Sequence, residues 1–87
     1  MSDADAERDR IATTILRLAA AVPAAATICP SAVARALAPD EPAWRALMPE
    51  VRRIAGELQR EGLVRVTRAG HPADPETARG PIRLGRI

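Results

Sequence analysis

The sequence predicts an α+β fold, mainly α, and three observations predict it. Up to Leu58 the apolar residues recur at helical spacing, about 100° per residue. Prolines interrupt that spacing at Pro23 and at Pro39-Asp40-Glu41-Pro42, which divides it into three helices. After Gly62 the period drops to 2, the period of a strand. Three helices followed by a β-hairpin wing make a winged helix.

Residues 1–6 are expected to fray, and residues 7–87 to form a single domain. The first helix is predicted from about Asp5 to Val22, with Ile11, Ile15, Leu18 and Val22 on one face. Acids in its first turn suit the positive end of the helix dipole, and Pro23 stops it. Thr27-Ile28 is placed as a short strand beside the later hairpin. Cys29-Pro30-Ser31 opens the second helix, which runs from Ser31 to about Leu37 with Val33 and Leu37 on one face.

The third helix has Asp40 as its N-cap and Pro42 in its first turn. Trp44, Leu47, Met48, Val51, Ile54, Ala55 and Leu58 form its apolar stripe, while Arg45, Arg52, Arg53 and Arg60 fall on the opposite side. Pro49 removes the hydrogen bond to the Arg45 carbonyl, which predicts a solvent-side kink or two abutting helices, with Pro49 to Glu61 as the recognition segment.

The wing is predicted as Leu63 to Arg68 paired with Pro81 to Arg86. Val64, Val66, Ile82 and Leu84 face the core; Arg65 and Arg83 face outward as neighbours, with an anion or a carboxylate such as Asp74 or Glu76 between them. Gly70, Pro72, Asp74-Pro75 and Gly80 mark turns in the long connection.

Composition bounds the rest. The 87 residues suffice for one small core, and with no Phe or Tyr the single Trp44 is its expected central anchor. One cysteine and one histidine build neither an internal disulfide nor a zinc site, and no cofactor is expected. That cysteine usage and the lack of a signal-like or membrane-length apolar segment give the expectation of a cytoplasmic protein. All 13 basic residues are Arg; Ala, Arg, Pro and Gly make up just over half the chain. Arginine abundance is therefore weak evidence, and the positions of the arginines carry the argument. Residues 1–9 have a net charge of −3, which leaves +5 on the remainder.

The stretches ICPSAVARAL (Ile28 to Leu37), WRALMPEVRRIAGEL (Trp44 to Leu58) and GLVRVTRAG through DPETARGPIRL (Gly62 to Leu84) resemble a family of small bacterial proteins known as domain of unknown function 3253. The resemblance covers nearly everything after the first helix. It implies a winged-helix-like fold and no established activity, so it assigns no catalytic residue.

Cys29 precedes a helix N-terminus, where a thiolate is stabilised, but a small buried hydrophobe is the expected role. His71 has no second ligand nearby, and Asp74 and Glu76 lack a nucleophile or phosphate loop to work with, so capping and pairing with Arg79 or Arg83 is expected. No enzymatic role follows. The expected function is binding of duplex DNA or RNA through Arg45, Arg52, Arg53 and Arg60 of the helix and Arg65, Arg68 and Arg83 of the wing. The alternative is a protein-interaction winged helix without nucleic acid, in which the same arginines are balanced by Glu50, Glu57 and Glu61.

Overall fold

The computed structural model describes residues 2–87. Helix α1 spans Asp3–Ala20. It starts within the stretch expected to fray, because Ser2 is a working N-cap whose hydroxyl oxygen accepts the Asp5 N–H at 3.2 Å. Its buried stripe is Ile11, Ala12, Ile15 and Ala19; Leu18 and Val22 are only half-buried.

Helix α2 spans Pro30–Leu37, with Cys29 at the N-cap position but no side-chain bond to the helix backbone. The Cys29 sulfur instead meets the Ser31 hydroxyl at 3.1 Å. Val33 and Ala34 are buried, while Leu37 sits at the margin of the core.

Helix α3 is one continuous helix, Glu41–Arg60, with Pro49 inside it. No second helix begins at the proline, which is exposed, so the Arg45 carbonyl that loses its partner lies toward solvent. The Asp40 side chain accepts the Ala43 N–H at 3.0 Å. At the other end Gly62, with φ 77°, allows Leu63 N–H to reach the Leu58 carbonyl and Gly62 N–H the Gln59 carbonyl. These two bonds end a helix in a left-handed residue, where glycine has no Cβ to clash.

Trp44 is not the central anchor that its stripe predicts. The fully buried part of α3 is Val51, Ile54, Ala55, Gly56 and Leu58, all after Pro49, whereas Trp44, Leu47 and Met48 are half-buried. Periodicity says which side of a helix is apolar but not how far along it a partner covers that side. Ahead of Pro49 the cover is partial: Arg35 of the eight-residue α2 meets the Trp44 ring, at 4.6 Å from the centroid, and Leu47 borders a pocket with Ile11 and Leu37.

The strands are β1 (Val64–Arg68), β2 (His71–Pro72) and β3 (Arg83–Arg86), in the order β2-β1-β3, all antiparallel. Thus the wing has three strands where the sequence predicts two. The extra one arises at Ala69-Gly70, both with positive φ (52° and 83°), a two-residue turn that folds His71 back against Arg68. The predicted Thr27-Ile28 strand reduces to a single bridge, in which Ile28 and Leu84 exchange two bonds of 2.8 Å. Val64, Val66, Ile82 and Leu84 turn inward; β1 lies on α3 and β3 on α1. The result is an α+β, mainly helical domain consistent with a winged-helix-like layout. Among the described residues no helix is long and apolar enough to cross a membrane, and no group of three or more His, Cys, Asp or Glu is placed to hold a metal ion.

Candidate nucleic-acid interface

On α3, three of the four predicted arginines have carboxylate partners. Arg45 bonds Glu41 at 2.7 Å and lies 4.9 Å from the Trp44 ring centroid. Arg53 grips both oxygens of Glu50, at 2.7 and 2.9 Å, and reaches Glu57 at 3.6 Å. The hydrogen bond from Arg53 holds the Glu50 carboxyl below its ordinary pKa, with the guanidinium charge adding to it and burial opposing, and the same bond raises Arg53. Arg60 stands 3.9 Å from Glu76. Arg8 of α1 joins this network, 3.3 Å from Glu57 and 3.8 Å from Glu61, and so ties the first helix to the third.

Arg52 is not on a free surface. Its Nε donates to the Pro75 carbonyl at 2.9 Å and its Nη2 to the Ala78 carbonyl at 2.8 Å, with longer contacts to the Gly80 carbonyl. The guanidinium thus staples the connection between β2 and β3 onto α3. Gln59 does the same for Ala73 at 2.8 Å, and Asp74 closes the turn by accepting the Glu76 N–H at 2.8 Å.

In the wing the arginines meet neutral acceptors. Arg65 Nε donates to the Arg86 carbonyl at 3.0 Å and its Nη2 approaches the Ala24 carbonyl at 3.5 Å. Arg83 donates to the Thr27 hydroxyl and the Thr27 carbonyl, each at 2.9 Å. The carboxylate expected between Arg65 and Arg83 is not there: Asp74 serves its own turn and Glu76 faces Arg60. Neutral oxygens of the 24–27 segment accept from both guanidiniums instead, because the Ile28 bridge draws the segment alongside β3. Arg68 lies against Gly80, at the connection that Arg52 staples. Among the described residues, none of Arg65, Arg68, Arg79, Arg83 and Arg86 has a carboxylate partner.

Two faces therefore carry five of the seven predicted residues, since Arg52 is tied to the connection and Arg68 lies against it. Arg45, Arg53 and Arg60 line α3, whereas Arg65 and Arg83 project from the sheet face opposite to the one packed on the helices. Arg79 and Arg86 escape a reading based on paired outward positions, and their signal is a plain charge count. α3 with its capping Glu61 has four arginines and four glutamates, while residues after Gly62 have five arginines against Asp74 and Glu76.

Cys29 borders the same corner. Its thiol is held below the ordinary pKa chiefly by the Ser31 hydroxyl, with the Ala32 amide and the Arg83 charge assisting and burial opposing. The thiol is half-buried.

Residues 8–87 match the family described as protein of unknown function, DUF3253. The chain belongs to that family. No curated protein matches it. The match takes in all of the DUF3253 chain from Arg8 onward, so both arginine-bearing faces and the Arg52 staple lie within the family's span.

Proposed function

We propose that this DUF3253 protein is a winged-helix module that binds the phosphate backbone of duplex nucleic acid, and that it does so mainly with its strands. The observation that carries the reading is the charge distribution: the residues after Gly62 hold a net +3, more than the whole chain's +2, while α3 together with its capping Glu61 is neutral. An arginine already paired to a carboxylate adds little long-range field, whereas one held by a carbonyl keeps its full charge for a phosphate. Arg65, Arg68, Arg79, Arg83 and Arg86 form the contact set, with Arg45, Arg53 and Arg60 secondary, since each exchanges one anionic partner for another. Arg52 holds the loop and takes no phosphate.

With ~3 to 4 phosphates neutralised, log K is expected to fall with log salt at a slope of about −3 to −4. A titration of labelled duplex DNA and RNA at about 50 mM salt decides the matter, with Arg65→Ala/Arg83→Ala and Arg53→Ala in parallel. The wing pair should lose most of the affinity and flatten the slope; Arg53→Ala should change little. Absence of retention by tens of micromolar protein, or binding indifferent to the wing pair, would falsify the reading.

A second reading has one observation behind it. A groove of about 530 Å³ beside α3 is lined by Met48, Pro49 and Pro75 together with Glu50, Arg52, Arg53 and Glu76. A partner protein's apolar side chain fits such a groove, and the domain then acts as an interaction module. A stoichiometric complex lost on Met48→Glu but kept on Arg65→Ala/Arg83→Ala distinguishes it.

A further inference from the structure

We propose that Arg65 and Arg83, laid across β3 on the outer face of the sheet, form a preorganised seat for one phosphate-type anion, and that Gly85 is present to let that seat form. Its biological ligand rests on the nucleic-acid reading; the chemistry of the seat does not.

The register places Arg65 opposite Gly85 and Arg83 opposite Thr67, so the two arginines are diagonal neighbours on one face. Such diagonals are about 7–8 Å apart at the backbone, within reach of long side chains. Both lean the same way, over β3 toward the 24–27 segment. Each guanidinium uses Nε and one Nη on neutral oxygens and retains its other N–H groups, so orientation is fixed without the charge being spent. Two like charges drawn onto one short segment, with no carboxylate among their partners, are most easily stabilised by an added anion.

Gly85 provides the passage. A Cβ at this position would stand 2.7 Å from Arg65 Nη2 and 3.1 Å from its guanidinium carbon, and 3.3 Å from the Thr27 methyl. Its φ is not in the left-handed region, so turn geometry does not require glycine here. What the missing side chain allows is the guanidinium itself.

Gly85→Ala is therefore a useful probe: it alters no charge, and it displaces chiefly the flexible end of Arg65, with the Thr27 methyl giving by a few tenths of an ångström. Inorganic phosphate is titrated into the ¹⁵N-labelled protein while the arginine Nε–H resonances are followed, for the parent, Gly85→Ala and Arg65→Gln. In the parent the Arg65 and Arg83 resonances should move together and saturate in the millimolar range, while Arg45 and Arg53 stay put. Both variants should lose the saturable shift and weaken duplex binding about tenfold, the worth of one well-placed charge-assisted contact. Melting curves identify a variant that merely unfolds, and Arg65→Gln keeps the test open if Gly85→Ala does. Saturable phosphate binding without nucleic-acid binding keeps the seat and removes the nucleic-acid reading. A saturable phosphate shift that persists in both variants, or shifts that grow uniformly over all arginines without saturating, overturns the seat; duplex binding that ignores both variants overturns nucleic acid as its ligand.

Discussion

Arg52 and Arg53 are adjacent, identical and both outside the apolar stripe, yet they do opposite things. Arg53 is nearly half exposed and paired with Glu50, an arrangement worth roughly 0.2–1 kcal/mol in an exposed pair. Arg52 satisfies backbone carbonyls of a connection that has no regular structure of its own, and bonds from a charged donor contribute about 1.5–3 kcal/mol each. We expect Arg52→Ala to destabilise the domain by about 2–4 kcal/mol and Arg53→Ala by less than about 1. Thermal and urea melts check it; equal losses would mean that the staple is decorative. Arg52→Lys should not rescue, because one ammonium cannot span the Pro75 and Ala78 carbonyls. For Glu50 the sign is simple: its folded pKa lies below the ordinary 4.5, so its contribution is present above that pH and lost as pH falls through the lower folded value. Trp44 belongs at this scale as well. Half-buried and bordered by Arg35 and Arg45, it should cost about 1–2 kcal/mol on replacement by Ala rather than the 3–5 of a fully buried ring. None of this is visible in periodicity, which gives each residue's angle around the helix axis but not what the rest of the chain lays against it.

At the scale of elements the sequence is far more legible, because caps and breakers act locally. Asp40, Gly62 and Pro23 bound their helices as their chemistry requires, and the drop to period 2 places β1 to within a residue. The misses share one cause. Ser2 extends α1, and Ala69-Gly70 creates β2, each through a single local bond or backbone angle that composition does not announce. Ala69 in particular is a non-glycine residue at φ 52°, which no propensity suggests. Pro49 is the reverse case: its local cost is plain, but the packing of Val51, Ile54 and Leu58 against the core keeps the helix continuous. Because that cost is still borne, Pro49→Ala should raise stability by about 1–3 kcal/mol, read as a higher melting temperature. A variant no more stable than the parent would show that the exposed Arg45 carbonyl has found an equally good partner.

For the whole molecule the decisive property is how charge is divided, and here the sequence could be summed but not paired. Net charge by segment is written in the chain; that Glu41, Glu50 and Glu76 neutralise α3 while carbonyls hold Arg65 and Arg83 is a product of folding. Hence, with Arg52 set aside in its staple, the other six candidate arginines divide into two sets with different expected salt behaviour. Replacing the wing set should flatten the salt dependence of nucleic-acid affinity, by about 0.9 in slope for each phosphate no longer neutralised, whereas replacing Arg45 or Arg53 should leave the slope within error. Affinity measured across a range of salt concentrations separates the two, and a slope equally sensitive to both sets would reverse the assignment.

The two short additions to the hairpin also decide what the sheet can do to its neighbours. An open edge strand offers unpaired N–H and C=O groups to any other chain in extended conformation, and this is how folded proteins begin to polymerise. Here β2 covers the tip of β1 on one side with a strand of only two residues, one of them Pro72, which has no N–H to donate. On the other side Ile28 occupies the β3 edge and then leaves at Cys29 for α2. A fourth strand meets only short stretches of open ladder on either side, which works against edge-to-edge joining of copies.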